Sequence, residues 1–451
     1  MRNIRERPRR PAWFLLLPAM ALAVAACSAN ATEDDAAEAA ADVGAEDDEG
    51  GSEGSDESDT AEVEDREPVT LEFFNFTAGA DHEDKLAAII DEFETANPHI
   101  TIDAKNAGFE EYFTQLQTRI AGGVAPDTFE LNYENFVSYA GSGSLLDLEA
   151  AAPGTIDPSV YFPRAYDAFN HEGTQYGLPE SFSVVVLYYN ERLFDEAGLD
   201  YPDETWTWED EQEAAEEITA LGDDIWGVYQ PIQFFEFYKA LAQSGGEFFS
   251  PDGTEATFNG PEGVEAASWL VDKVEETMPS EAQRGGQGDD ILFQSGRLGM
   301  WHTGIWMFGV LEEMEDPWNI AVEPGNTTRA SHFFANAAVA SSTTEHPEES
   351  AAWLQHLASS EVTVQQRLEG NWELPAVFDE SLLAPYLEQS PPANRQAVFD
   401  SLDAVVVPPV VEKQQQLQDT VTQALERAVL GQVDVATALD EAASDVNGLL
   451  E

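Results

Sequence analysis

The chain has 451 residues, of which 87 are acidic and 20 are lysine or arginine, so its formal net charge at pH 7 is −67. A surface this acidic repels nucleic acid and anionic lipid headgroups, which excludes both as binding partners. Cys27 is the one cysteine, so an intrachain disulfide is excluded as well.

The N-terminus predicts a signal peptide over residues 1–27. Five arginines precede an apolar run from Trp13 to Ala26, which is interrupted by Pro18 and is shorter than the roughly 20 residues that span a membrane. The small residues Val24-Ala25-Ala26 before Cys27 resemble a bacterial lipoprotein signal. This resemblance implies a lipidated Cys27 and an extracytoplasmic protein that is lipid-anchored to the cell membrane. The alternative is an ordinary secretory signal in which Cys27 is incidental.

Residues 28–67 predict a disordered acidic tether. Between Glu33 and Glu67 there are 17 acidic residues and one basic residue, interspersed with Ala, Gly and Ser. Such a segment buries too little apolar surface to offset its ordering entropy, and its like charges keep it extended. We expect it to separate the folded body from the membrane.

The folded body begins near residue 68 with an alternation of helices and strands. Val69–Phe76 alternates like a strand, Asp81–Thr95 has helical spacing, and Ile100–Ile102 is a second strand. Tyr112–Ala121 predicts a second helix and Asp127–Leu131 a third strand. This βαβαβ order predicts an α/β fold on a mostly parallel sheet, in which ligands lie at the carboxyl ends of the strands.

Several motifs occur in the same order as in one protein family. They are Asn97–Ile102, Tyr112–Asp127, Gly143–Leu148, Tyr176–Pro179, Leu187–Asn190, Glu196–Leu199, Thr205–Glu209, Phe293–Met300 and Gly304–Trp306. Together they resemble the maltose-binding-protein-like extracellular solute-binding proteins that feed sugar transporters of the ATP-binding cassette (ABC) type. The resemblance implies a two-lobed, type II periplasmic-binding-protein-like fold. Each lobe is expected to be a mixed, mainly parallel sheet flanked by helices, with the ligand cleft at the hinge.

The resemblance also implies discontinuous lobes. The expected crossings between them are Tyr176–Ser183, Met300–Gly304 and Asn336–Ser342. Lobe one is expected to hold 68–178 and 305–340, and lobe two 179–304 and 341–451. Three helical patterns in the last segment are expected to pack mainly on lobe two: Pro347–Leu357, Val362–Leu368 and Gln414–Val429.

A sugar site needs aromatic planes and planar polar side chains. Residues of these types follow the predicted strands or lie at the crossings, where His302 is also found. The predicted ligand-binding residues are Phe76, Thr77, Glu130, Asn132, Tyr133, Glu180, Ser181, Phe234, Trp301, Thr303, Trp306, Asn336, Trp372 and Glu373.

Structural roles are the alternative for several aromatic and acidic residues. Trp206 and Trp208 lie beside a predicted helix start at Thr207, which favours a core or capping role over ligand contact. Phe234 belongs to an aromatic cluster that is typical of a buried helix face. Glu130 is alternatively a solvated charge at the end of a strand.

The resemblance implies a substrate-binding lipoprotein that holds a mono- or oligosaccharide and delivers it to the permease subunits of an ABC transporter. We expect a monomer without cofactor or metal. A polyamine or a glycerol-phosphate-type solute is the alternative ligand, the latter requiring Arg or Lys in the cleft. A glycoside hydrolase using Glu130 and Glu180 is the alternative of another class. No nucleophile elbow, phosphate-binding glycine loop or His-x-x-x-His pair is present, so we predict no catalytic residue.

Overall fold

The computed structural model describes residues 66–78, 82–377 and 380–450. Cys27, the signal peptide and nearly all of the predicted tether lie outside these residues. Within them, none of the helices is both long enough and apolar enough to traverse a membrane.

The three predicted strands are confirmed as the first three of the fold, with small differences at their ends, and nine further strands follow them in the described residues. The strands are β1 (Val69–Asn75), β2 (Ile100–Asn106), β3 (Thr128–Asn132), β4 (Asn170–His171), β5 (Thr174–Gln175), β6 (Gly177–Asn190), β7 (Trp226–Tyr229), β8 (Leu298–Gly304), β9 (Trp318–Ala321), β10 (Ser331–Ala340), β11 (Leu374–Pro375) and β12 (Val405–Val406). The second strand extends four residues beyond the predicted Ile100–Ile102, because its edge position tolerates the polar residues that follow.

Helices flank the strands along the whole described chain. The helices are α1 (Glu83–Ala96), α2 (Phe109–Ala121), α3 (Tyr133–Gly141), α4 (Leu148–Ala151), α5 (Pro163–Ala168), α6 (Glu191–Ala197), α7 (Trp208–Thr219), α8 (Phe234–Gln243), α9 (Pro261–Val271), α10 (Glu281–Arg284), α11 (Asp289–Gln294), α12 (Pro347–Ser359), α13 (Glu361–Glu369), α14 (Glu380–Leu387), α15 (Gln396–Leu402), α16 (Gln414–Val429) and α17 (Val435–Leu450). Local chemistry sets several of these ends. Thr207 caps α7 through reciprocal hydrogen bonds with Asp210, as its position before the acidic first turn predicts.

The main sheet of the described chain is mixed, with the order β2-β1-β3-β10-β6-β8-β7. The pairs β1–β2, β1–β3 and β7–β8 are parallel, whereas β10 pairs antiparallel with β3 and β6, and β6 pairs antiparallel with β8. The α/β class and the mixed sheet are therefore confirmed, with the parallel pairs towards the two ends and antiparallel pairs in the middle.

Strand β6 connects the two ends of this sheet. All fourteen of its residues are buried. Its first half pairs with β10 from Gly177 to Val184, and its second half pairs with β8 and β9 from Val185 to Asn190. We call β1–β3 the first sheet region and β7–β9 the second sheet region. The predicted crossing at Tyr176–Ser183 thus falls on a strand that serves both regions.

Two segments pack differently from the expected lobe assignment. Residues 305–330 were expected with lobe one, but β9 pairs with β6 in the second sheet region, with Ala321 opposite Leu187. Helix α12 was expected mainly on lobe two, but its Trp353 packs edge-on against Phe73 of β1 and Phe93 of α1 in the first region. The amphipathic pattern of a helix shows which face is buried but not which apolar surface receives it.

The C-terminal helices belong to a separate part of the core. Leu417, Val421 and Leu425 of α16 pack in one cluster with Phe237 of α8 and Leu439 of α17. Gln414–Val429 has the predicted bounds and packs with α8, α9 and α17. One face of α16 is held in this core, and the opposite face is free to line a cavity.

Candidate ligand-binding site

A cavity of about 790 Å³ lies at the carboxyl ends of β1, β3 and β8 and beside the middle of β6 and β10. This volume is within the range of about 300–1,000 Å³ that is typical of small-molecule sites. None of the described lining residues is a lysine or an arginine. The lining residues are Phe76, Thr77, His82, Phe109, Phe113, Thr114, Asn132, Asn135, Val185, Pro231, Gln233, Phe234, Phe235, Glu236, His302, Thr303, Trp306, Met307, Val310, Phe334, Asn336, Trp372, Glu373, Gln415, Gln418, Asp419, Thr422, Gln423 and Glu426.

The wall on the side of the first sheet region begins where β1 and β3 end. Phe76 and Thr77 follow β1, and Asn132 is the last residue of β3 and the N-cap of α3. The Oδ1 atom of Asn132 accepts a hydrogen bond of 2.8 Å from Nδ2 of Asn135, which fixes the orientation of its amide. Helix α2 adds the ring of Phe113. This wall therefore presents both aromatic and amide groups.

The wall on the side of the second sheet region is formed where β8 ends. His302 and Thr303 are its last residues before Gly304, and a 3-10 turn over Ile305–Met307 then carries Trp306. A Cβ atom on Gly304 would overlap the six-membered ring of Trp306. The glycine thus permits the indole to lie back over the end of the strand.

Aromatic rings form two groups along the cavity. Phe76 contacts Phe109 and Phe113 with ring centroids 5.4 and 5.8 Å apart. Phe334 of β10 contacts Trp306 at 5.8 Å and Phe235 at 5.7 Å. Both groups include half-buried rings, so apolar faces remain available to a ligand.

Asn336 lies at the junction of three strands and a polar cluster. It is opposite Asn132 of β3 and Ser181 of β6, and the register with β6 shifts just after it. Its Nδ2 atom donates 3.0 Å to Oε2 of Glu373, and the Ser181 hydroxyl donates 2.5 Å to the same oxygen. Burial raises the pKa of Glu373, which Arg367 and these two donors partly oppose.

Trp372 is fixed between this cluster and the first wall. Its indole N–H donates 3.1 Å to the backbone carbonyl of Thr77. The Arg367 guanidinium lies 4.2 Å from its ring centroid, and the His82 ring centroid lies 4.8 Å away. Burial, assisted by Lys85 and Arg367, lowers the pKa of His82 to about 4. His82 therefore offers the cavity a neutral imidazole at pH 7.

Helix α16 forms a third, polar wall. Six of its side chains line the cavity at helical spacings of three and four residues, so they share one face of the helix. The backbone N–H of Phe234 donates 3.1 Å to Oγ1 of Thr422, which ties this face to the start of α8. The six are Gln415, Gln418, Asp419, Thr422, Gln423 and Glu426.

A buried ionic network lies behind Glu236 and His302 of the cavity wall. Lys239 Nζ lies 2.7 Å from Oε2 of Glu236 and 2.5 Å from Oε2 of Glu323. His302 Nδ1 lies 3.0 Å from the same Glu323 oxygen, and its Nε2 atom lies 3.2 Å from Oε1 of Glu211. The network extends from Glu211 to Lys273 at 2.6 Å and from Glu236 to His332 at 3.2 Å.

The network is neutral when His302 is protonated and His332 is not. Burial by itself lowers the pKa of His302, but Glu323 and Glu211 together raise it to about 9. Burial lowers the pKa of His332, and its hydrogen bond to Glu236 only partly opposes this. Three carboxylates then face two lysines and one imidazolium. The charges of this network, which includes Glu236 and His302 of the cavity wall, are therefore balanced among themselves.

Nine of the fourteen predicted ligand-binding residues line the cavity. They come from six separate segments of the sequence, and the structure brings them around one cavity. Their contact with ligand stays a prediction. The nine are Phe76, Thr77, Asn132, Phe234, Thr303, Trp306, Asn336, Trp372 and Glu373.

The other five lie outside the lining, and most have a structural partner. The Glu130 carboxylate accepts hydrogen bonds from the backbone N–H groups of Phe76, at 2.7 Å, and Thr77, at 3.0 Å. Glu130 therefore holds the chain after β1 in place and is not a solvated charge. Trp301 is only 2% exposed, packs in the core and donates 2.8 Å to Asp289.

The remaining residues of this group lie close to the cavity but behind its surface. Glu180 is buried and paired with Arg367. Burial raises the pKa of Glu180, as does the nearby Glu130, while Arg367 lowers it. The Ser181 hydroxyl donates its hydrogen bond to the Glu373 carboxylate. Tyr133 is half-buried, and its ring contacts the ring of Phe169. The core role predicted for Trp208 is confirmed, because its ring is buried and stacks on Trp269 with the centroids 4.6 Å apart.

The α16 wall, His82 and the α2 residues are absent from the sequence-based prediction. For α16, the signal is a stripe of amides and acids beside an apolar stripe on the same predicted helix. That pattern is also typical of a solvated helix face. Only the position of the helix against the cavity shows that these side chains form a cavity wall. His82 gives no such signal, since a single histidine at a helix start has many structural roles.

The described residues include no group of three or more His, Cys, Asp or Glu side chains that is arranged to hold a metal ion.

A family model described as bacterial extracellular solute-binding protein matches residues 79–364. The chain belongs to the bacterial extracellular solute-binding protein family. Its type II fold, predicted from sequence motifs, is therefore confirmed together with the family.

This solute-binding protein is similar to an ABC substrate-binding protein from Listeria monocytogenes that is in complex with cycloalternan. The two chains are 41% identical with a TM-score of 0.82, and the match covers 85% of this chain and 99% of the other. A maltodextrin-binding protein of Bacillus subtilis is 23% identical over 304 residues, covering 65% of this chain and 71% of the relative. An arabinooligosaccharide-binding protein of Halalkalibacterium halodurans is 25% identical over 224 residues, covering 48% and 49%.

Proposed function

We propose that this solute-binding protein binds a neutral sugar, a mono- or oligosaccharide, and delivers it to the permease subunits of an ABC transporter. The observation that carries the proposal is the chemistry of the cavity wall. Half-buried aromatic rings of Trp306, Phe76 and Phe334 lie in the same cavity as the amides of Asn132 and Asn336. Sugars present apolar C–H faces and hydroxyls, which such a wall binds by stacking and by hydrogen bonds.

Charge in the cavity distinguishes the ligand classes. A phosphate-bearing solute needs a cationic partner, and the described lining has no lysine or arginine. His82 adds no charge at pH 7, because its pKa is about 4. A polyamine would be drawn to carboxylates. Glu236 is already paired with Lys239 and His332, but Asp419 and Glu426 also line the cavity, so the spermidine control below tests this alternative. The names of the similar proteins, which refer to cycloalternan, maltodextrin and arabinooligosaccharide, also support a sugar.

The deciding experiment is a calorimetric titration with glucose, maltose, maltotetraose and cycloalternan, with spermidine and glycerol 3-phosphate as controls. We expect at least one sugar to bind in the titration. In a thermal melt the same sugar should raise the melting temperature, because a ligand at 100 times its Kd stabilises the folded state by about 2.7 kcal/mol. Binding of spermidine or glycerol phosphate alone would overturn the proposal in favour of the corresponding solute.

We propose that the protein closes on its ligand by a hinge between two lobes. Lobe one would be built on the first sheet region together with α12, and lobe two on the second sheet region together with residues 305–330 and α16. Ligand contacts from both sides make the closed form bind better than the open form, and this difference shifts the population towards closure. Small-angle scattering should show a smaller radius of gyration with bound sugar, and an unchanged radius would contradict closure.

We propose further that the protein acts as a monomer without turnover. The two carboxylates that the sequence offers for hydrolysis, Glu130 and Glu180, lie outside the cavity lining and are engaged by backbone amides and by Arg367. Incubation with a labelled oligosaccharide that binds should return the sugar unchanged. A shortened product would show that the protein is a hydrolase.

We propose that Cys27 is lipidated and anchors the protein on the outer side of the cell membrane. The acidic tether would then keep the sugar-binding body near its permease. In membrane fractions of expressing cells, wild type should sediment with the membrane and Cys27→Ser should be released with unchanged sugar affinity. Retention of Cys27→Ser in the membrane would contradict the anchor.

A further inference from the structure

The polar face of α16 occupies a part of the cavity wall that the aromatic residues do not. Gln415, Gln418 and Gln423 are on this face with Asp419 and Glu426. Amides and carboxylates of this kind bind sugar hydroxyls by paired donor and acceptor atoms. The face holds polar groups but no ring, so it suits the hydroxyl-rich edges of a ligand and not its stacked planes.

Gln418 is the most buried member of this face. Its side chain lines the cavity and is 9% exposed, and its Nε2 atom has no hydrogen-bond partner among the described residues. A buried polar atom without a partner is destabilising, so a ligand oxygen that reaches this Nε2 atom after a small rotation of the side chain supplies the missing acceptor. By contrast, Nε2 of Gln415 already donates 2.9 Å to Asp419.

The helix is a rigid support for such contacts. Its opposite face is fixed in the core by Leu417, Val421 and Leu425, and Thr422 accepts the hydrogen bond from the Phe234 backbone. A site on a packed helix keeps its side chains in position better than a site on a loop. The α16 face is therefore held in a fixed position on α8 and α17.

From these observations we propose that the α16 face binds the further units of an oligosaccharide and sets a preference for oligosaccharides over shorter sugars. This inference rests on the proposed sugar-binding function. The aromatic groups hold the first units by stacking, and Gln418 and Gln423 hydrogen-bond the hydroxyls of units beyond them. The cavity volume of about 790 Å³ accommodates more than one sugar ring.

The test compares maltose with maltotetraose by calorimetric titration of wild type, Gln418→Ala, Gln423→Ala and the double variant. Gln416→Ala is the matched control, since Gln416 is exposed on the same helix and does not line the cavity. We expect the double variant to bind maltotetraose at least tenfold more weakly and maltose within twofold of wild type. The control should leave both affinities unchanged.

Three other outcomes are informative. An equal loss for both sugars, or no loss for either, would overturn the inference and leave sugar binding intact. Failure of wild type to bind any sugar, including cycloalternan, would overturn the proposed function and this inference with it. Gln423 is exposed, so Gln423→Ala gives a readout free of folding defects if Gln418→Ala lowers the melting temperature.

Discussion

The indole N–H of Trp372 donates a hydrogen bond of 3.1 Å to the backbone carbonyl of Thr77, which is 295 residues earlier in the chain. This contact joins the loop after α13 to the end of β1. It also places Trp372 beside Arg367 and His82, so that one indole connects the cavity wall to the buried polar cluster around Glu373. Residues from opposite ends of the sequence thus share one side of the candidate site.

Substitution of Trp306 by alanine should weaken sugar binding without unfolding the protein. Trp306 is half-buried and lines the cavity, so its loss removes a stacking surface worth about 1 kcal/mol, which is about fivefold in Kd. The measurement is a titration with the sugar that binds wild type. Trp206→Ala is the control, because Trp206 is also half-buried and lies outside the lining. Equal affinities of wild type and Trp306→Ala would exclude a stacking role.

Substitution of Trp301 by alanine should act on stability. Trp301 fills a core position between Phe293 and Tyr188, and its loss leaves a cavity and an unpaired Asp289. We expect a decrease of about 3–5 kcal/mol in the free energy of unfolding, measured by urea denaturation. The folded fraction should bind sugar with nearly wild-type affinity. A stable variant that no longer binds would instead restore Trp301 as a ligand contact.

The free energy of unfolding should decrease as the pH rises from about 6.5 to 9. Glu323 and Glu211 raise the pKa of His302 to about 9, above its unfolded value of 6.5. The imidazolium therefore stabilises the folded state fully below pH 6.5, and this contribution is lost as the pH rises through 9. Its size is roughly 3 kcal/mol. In His302→Gln, denaturation curves at pH 6.5, 7.5 and 9 should differ less than in wild type.

A second pH effect should come from Glu134 in the first turn of α3. Neither of its carboxylate oxygens has a hydrogen-bond partner among the described residues, and burial raises its pKa to about 7. The folded state thus favours the protonated form, so stability is lost as the pH rises from about 4.5 through 7. Glu134→Gln should flatten this window in thermal melts.

The control for this effect is Glu111→Gln, which removes an exposed carboxylate from α2. It should leave the pH dependence between 4.5 and 7 as in wild type. If Glu134→Gln retains the full wild-type slope, the titration in this window belongs to another group.

The buried apolar pattern made the early elements predictable. Leu86, Ile89 and Phe93 lie on one face of α1 as their spacing predicts, and Leu71 and Phe73 alternate inward from β1. Local period and turn chemistry are properties of neighbouring residues, so the sequence carries them directly. The same holds for the cap at Thr207 and for the full length of α16.

The site was predictable only where a strand end or a family motif marked it. Asn132, Thr303 and Trp306 line the cavity because the carboxyl ends of β3 and β8 lie there, whereas Asn336 lines it from the middle of β10. Trp301 and Thr303 are two residues apart on β8, so alternation along the strand puts them on the same face and does not distinguish them. Trp301 is nevertheless a core residue, because its ring packs against Phe293 and Tyr188. Side-chain type alone does not distinguish a tryptophan for packing from one for binding.

The sequence by itself determined the family, the α/β class, the acidic charge and the helices and strands with a clear apolar period, since these depend on local pattern and composition. The tertiary structure decided which surface each helix covers, as Trp353 of α12 and Gln418 of α16 demonstrate. It also decided that Glu130 is a structural carboxylate and that His302 belongs to a neutral ionic network. These properties depend on distances between residues that are far apart in the chain. Burial of a charged side chain adds a desolvation free energy, which is offset only when folding places an opposite charge or a hydrogen-bond partner beside it.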